Sequence, residues 1–109
     1  MSSIDFHAAR QALSITEVLD LLGWRPTARR GVQARGPCPL HGSRSPRSRT
    51  FAVHLGRNLY HCFGCGAGGN ALDLWAAHTR LPLYAAVLDL CQRLGRAVPW
   101  RRTETPMPP

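Results

Sequence analysis

The 109-residue chain contains no lysine; all 14 of its basic side chains are arginines. Acidic residues are also scarce: there are 6, which leaves a formal charge of +8. None of them lies between Asp20 and Asp73. That interval holds Arg25, Arg29, Arg30, Arg35, Arg44, Arg47, Arg49 and Arg57. A block of one sign argues against a cationic partner and for a polyanion. Arginine suits that role, because its planar fork pairs with phosphate and stacks on bases. The competing reading of such a run is a solvated loop surface.

Long apolar stretches are absent too. None is long enough to span a bilayer, and the start, MSSIDFHAAR, lacks the apolar run of a secretory leader. These absences point to a cytoplasmic protein with no membrane partner. In a reducing compartment, four cysteines are not expected to form a disulfide frame. Paired carboxylates are missing as well. Asp5, Glu17, Asp20, Asp73, Asp89 and Glu104 are scattered without a metal-binding cluster. No catalytic activity is therefore expected from this chain alone.

The chemistry that is present is concentrated in two short pairs, Cys38-Pro-Leu-His41 and Cys62-Phe-Gly-Cys65. Two intervening residues let a tight turn aim both side chains at one ion. Three thiolates and an imidazole suit tetrahedral zinc, one ion per chain. All four positions are then protein ligands, so the ion is structural. A core of this length is marginal, and a metal staple would help it. Two other chemistries compete for these cysteines. Cys62-x-x-Cys65 has the spacing of a redox pair, but a larger α/β context is missing. An iron–sulfur cluster usually takes four cysteines, and His41 fits it poorly. Cys91, between Leu90 and Leu94, reads as a buried apolar residue. His61 neighbours Cys62 but points to the opposite side of a strand, towards solvent or nucleic acid.

Around these pairs the pattern alternates between helix and strand. Residues 1–24 read as helical, with a capping box at Ser14-Ile15-Thr16-Glu17 and a stop at Gly23. Residues 25–37 read as loop with one short strand. Residues 42–49 are a polar loop. Thr50 to Leu55 and Leu59 to Cys62 form a β-hairpin across Gly56-Arg57-Asn58. Asn70 caps a helix bearing Leu72, Trp75, Ala76 and Thr79. Pro82 opens a second helix, with an apolar face of Leu83, Val87, Leu90 and Leu94. The divisions expected are an N-terminal arm at 1–11, a zinc domain at 12–95 and a disordered Pro/Arg-rich tail at 96–109.

These residues resemble a known family. Cys38-Pro-Leu-His41, followed by Tyr60-His61-Cys62-Phe63-Gly64-Cys65-Gly66 and Gly68-Gly69-Asn70, is similar to the zinc-binding domain of DnaG-type bacterial and phage DNA primases. The likeness extends over roughly residues 12–95. It implies an α+β fold, a zinc ribbon of antiparallel strands flanked by helices. It also implies that single-stranded template is contacted and that primer starts are selected beside a separate catalytic domain. By position, Arg44, Ser45 and Pro46 correspond to the family's basic-hydroxyl-proline segment. The loop before Phe51 looks longer than in the family, and Asn70 stands where aspartate is usual.

The function expected is a stand-alone primase-type zinc finger that binds single-stranded DNA. Its partners would be a primase catalytic subunit or a helicase. Arg44, Arg47, Arg49, Arg57, Tyr60 and His61 are the candidate nucleic-acid contacts, with Tyr60 as the stacking platform because its flank is polar. Phe51 and Phe63 are read equally as packing. Three alternatives stay open. One is an adaptor docking a primase, helicase or recombinase through the ribbon and the Leu83–Leu94 helix. Another is a non-functional remnant of a larger phage or mobile-element primase gene. The third is an RNA-binding module, since arginine and aromatic contacts do not distinguish the sugars.

Overall fold

A computed structural model describes residues 3–40 and 49–100. Asp5 opens helix α1 (Phe6–Ala12) by accepting from the Ala8 N–H. The region 1–24, expected to be helical, holds two helices. Leu13 turns extended, and Ser14 caps a second helix, α2 (Ile15–Leu22), with Glu17 completing the capping box. The same hydroxyl that starts α2 therefore ends the continuity of α1, because an N-cap residue must leave helical geometry. Gly23 closes α2 in the left-handed conformation.

Five strands follow: β1 (Ala28–Arg30), β2 (Gln33–Gly36), β3 (Phe51–His54), β4 (Leu59–Cys62) and β5 (Gly68–Asn70). They form one antiparallel meander in sequence order. Residues 25–37, expected as loop with one short strand, thus hold two strands paired as a hairpin, and the glycine-rich segment after Cys65 contributes an edge strand. Glycine and arginine obscure both strands in the sequence, since neither has the β-branched or aromatic character that marks a strand. At Gly69 the omission of a side chain is obligatory: φ is +149°, and a Cβ would lie 2.4 Å from Asp73 Oδ2. That carboxylate receives the Asn70 N–H at 3.0 Å, closing a second capping box at the start of helix α3 (Ala71–Thr79).

The register sorts the sheet into two faces. Ala34 pairs with Val53, and Val53 with Tyr60; Gly36 pairs with Phe51, and Phe51 with Cys62. These residues point inward. Gln33, Arg35, Ala52, His54, Leu59 and His61 lie on the other face. The inner face packs in one core with Ile15 and Val18 of α2 and Leu72, Leu74 and Trp75 of α3. Val87, Leu90 and Cys91 of helix α4 (Leu83–Leu94) complete it. Pro82 is the residue before α4 rather than its first turn.

Polar contacts fix how the helices sit. The Trp75 indole N–H donates to Asp89 Oδ2 at 2.8 Å, and Arg93 pairs with the same carboxylate at 2.9 Å. Asn58 adopts φ +56° in the β3–β4 turn, and its side-chain oxygen accepts the Ile15 N–H at 3.2 Å. One turn residue thereby ties the hairpin to the first turn of α2. The boundaries expected at 12 and 95 do not mark the edges of packing. Ile4 is buried and bridges Trp100, and the Asp5 N–H donates to the Pro99 carbonyl. Arg96 bonds the Ala12 carbonyl and Glu17, so residues 96–100 belong to the packed unit. Among the described residues no helix is long and apolar enough to cross a membrane.

Candidate metal centre and the open sheet face

Three of the four expected ligands converge. The sulfurs of Cys38, Cys62 and Cys65 all lie within 4.8 Å of one another, with Cys38 and Cys65 at 4.0 Å. A tetrahedral ion with metal–sulfur bonds near 2.3 Å needs sulfurs about 3.8 Å apart, so the cluster has the right size. None of the three is in a disulfide. The expected fourth ligand, His41, lies outside the described residues, as do Arg44 and Arg47.

Local chain geometry explains the convergence. Cys62 ends β4, and a turn returns its carbonyl to the Gly66 N–H at 2.9 Å. Inside that turn the Gly64 and Cys65 N–H groups both donate to Cys62 Sγ, at 3.3 and 3.4 Å. In the first knuckle Leu40 N–H donates to Cys38 Sγ at 3.4 Å. Burial alone would push the Cys62 thiol up. The Cys65 and Gly64 donors and the neighbouring sulfurs outweigh it and hold its pKa below the ordinary thiol range. Such donors stabilise thiolate, the form that binds metal. Soft sulfur donors at this spacing fit zinc.

Cys91 stays apart on α4. It is 1 % exposed, and burial raises its thiol pKa, as expected of a packing residue.

The nucleic-acid candidates divide differently from expectation. Tyr60 is not a surface platform. It is 5 % exposed, stacks on Phe51 with ring centroids 5.4 Å apart, and has its phenol pushed up to about 12, chiefly by burial. The signal was available in the strand period: Tyr60 and Cys62 are two apart and must share the inner face. By the same rule His61 faces outward, and it is exposed. Phe51 is fully buried, whereas Phe63 is 65 % exposed.

Phe63 is the centre of the open face. The Arg35 guanidinium lies 5.2 Å from its ring centroid, and His61 meets it edge-on at 4.6 Å. Arg35 is itself held, donating through Nε and Nη2 to the Arg49 carbonyl at 3.0 and 2.7 Å. Arg49 thus contributes its backbone to the arrangement. Beside these groups is a shallow recess of about 390 Å³, lined by Ala52, His54 and Leu59 among others. Arg57 is exposed at the far end of the hairpin from Cys62, where its N–H donates to His54 Nδ1 at 3.1 Å. Arg35 belongs to the arginine block, but nothing local distinguishes it from the other arginines there; only the β2–β3–β4 register brings it to Phe63.

The family model of the DnaG-type zinc ribbon, described as a CHC2 zinc finger, matches residues 3–106. The DNA primase of Pseudomonas aeruginosa is 35 % identical over 88 residues, 80 % of this chain and 13 % of that protein. The DNA primase of Escherichia coli is 32 % identical over 95 residues, covering 86 % of this chain and 16 % of its own length. A crystal structure of the Aquifex aeolicus primase, containing zinc-binding and RNA polymerase domains, superposes with a TM-score of 0.67. It shares 27 % identity over 88 % of this chain and 23 % of that one. The chain thus spans only about one-seventh of the curated primases it matches.

Proposed function

The chain belongs to the CHC2 zinc-finger family of DnaG-type DNA primases, and from that premise we propose a non-catalytic module of primer synthesis. It holds one structural zinc through Cys38, His41, Cys62 and Cys65. It presents single-stranded DNA template on its open sheet face to a separate catalytic unit or helicase. The ion, when bound, crosslinks the loop after β2 to the end of β4 and so fixes the edge of that face.

The observation that carries this reading is the Arg35–Phe63–His61 cluster. The Phe63 ring is 65 % exposed and lines the recess together with Leu59, itself 45 % exposed, so the two form an apolar patch with a polar rim. One side of the ring is occupied by an anchored guanidinium, which leaves its remaining surface for a base. Base–aromatic stacking is sequence-tolerant, and arginine supplies the phosphate attraction. Four of the six acids, Asp5, Glu17, Asp73 and Asp89, are engaged in a cap or an ion pair, which gives them a structural part in the fold.

The test is binding of a labelled single strand to zinc-loaded protein across a salt series. Each phosphate contact should add about −0.7 to the slope of log affinity against log salt. An RNA strand of the same sequence, measured in parallel, separates DNA from RNA preference. Absence of binding at low salt would remove the nucleic-acid role and leave the adaptor role in its place.

A further inference from the structure

We propose that Trp24 is a positioning residue for the metal centre, holding the first knuckle in place from outside it. The inference rests on Cys38 being a zinc ligand. Gly23 ends α2 in a left-handed turn, and the Trp24 N–H reaches back to the Leu19 carbonyl at 3.0 Å. That turn aims the indole at the sheet. Its Nε1–H donates to the Pro37 carbonyl at 2.6 Å, on the residue immediately before Cys38. Its ring meets Phe51 edge-on at 5.5 Å, and Phe51 is the register partner of Cys62. One side chain therefore contacts the chain beside two of the ligands.

The first knuckle needs such an anchor more than the second does. Pro37 and Pro39 flank Cys38, and neither has an N–H to tie the loop down. The neighbouring glycine fits the same purpose. A Cβ on Gly36 would lie 2.7 Å from the Trp24 ring and 3.3 Å from the Arg25 carbonyl, so only glycine lets the indole close on the loop. Outer partners that orient ligands change metal affinity when removed.

The experiment is zinc release from the full chain to an excess of a metallochromic chelator. Trp24→Phe keeps the ring but deletes the N–H donor. It should release zinc about tenfold faster than the wild type. Gly36→Ala, which displaces the ring and keeps the N–H, should do the same and carries the test if Trp24→Phe does not fold. Cys91→Ala serves as a packing control remote from the knuckles and should release zinc at the wild-type rate. Wild-type release from both Trp24→Phe and Gly36→Ala overturns the proposal, as does equal acceleration in Cys91→Ala, which would show a general stability effect. Wild-type protein that holds no zinc would instead overturn the ligand assignment on which the inference depends.

Discussion

Tyr60 and Phe63 are three residues apart on opposite sides of one hairpin, and their alanine variants should fail in opposite ways. Tyr60 is 5 % exposed and stacked on Phe51. Truncating a buried aromatic costs about 3–5 kcal/mol. For a domain of this size each kcal/mol lowers the melting temperature by roughly 4–8 °C, so Tyr60→Ala should melt at least about 12 °C lower. Its affinity for a single strand, per folded molecule, should stay near wild type. Phe63→Ala removes an exposed ring and should change stability by no more than about 0.5 kcal/mol. Its binding should weaken by about 1–3 kcal/mol, roughly 5- to 150-fold. Circular dichroism melts and fluorescence anisotropy on the same samples separate the two effects. A Tyr60→Ala protein that melts normally but loses binding would refute the assignment of faces, and so would a Phe63→Ala protein that melts early and binds fully.

Four further outcomes follow from the same structure. Arg35→Ala should weaken binding to all single strands and make the salt slope shallower by less than one unit, which anisotropy at several salt concentrations will read. Cys91→Ala should keep its full zinc content by elemental analysis and lose on the order of 1–2 kcal/mol in urea unfolding. Asn58→Ala places alanine at φ +56° and deletes the bond to Ile15; a loss of about 1–2 kcal/mol is expected in the same assay. Acid should also weaken the fold. Burial opposes ionisation of Glu17, but its bonds to Arg96 and Ser14 prevail and lower its pKa; for Asp89 the Arg93 bond is the leading cause of a lowered value. A lowered folded-state pKa stabilises above the ordinary carboxylate range and is lost as pH falls through it. Urea midpoints should therefore drop below about pH 4, and Arg96→Ala should blunt that drop; because both pairs are partly solvated, each contributes under about 1 kcal/mol.

The parts of the fold legible in the sequence are those written in local chemistry. Ser14 with Glu17, and Asn70 with Asp73, each form a complete capping box. Phe51 and Val53 alternate inward as their spacing requires. The Cys38 and Cys62–Cys65 spacings bring three sulfurs to one point. What was hidden depends on partners distant in sequence. Ala28–Arg30 becomes a strand only because Gln33–Gly36 pairs with Phe51–His54 on its other side. Arg35 gains its role from the Arg49 carbonyl, and Trp24 from the Pro37 carbonyl. Tyr60 is buried for a different reason: its neighbours in sequence are polar, but its period-2 relation to Cys62 puts it on the inner face, and the period decides burial in a strand.

X-ray absorption at the zinc edge of the purified protein tests the ligand set most directly. One zinc per chain, surrounded by three sulfurs at about 2.3 Å and one nitrogen at about 2.0 Å, is the expected result. Cys62→Ser should lose that ion together with most tertiary structure, since metal binding is coupled to folding in domains of this kind. Four sulfur ligands would bring in Cys91 and displace His41, and a Cys62→Ser protein that stays folded and metal-loaded would contradict the centre altogether.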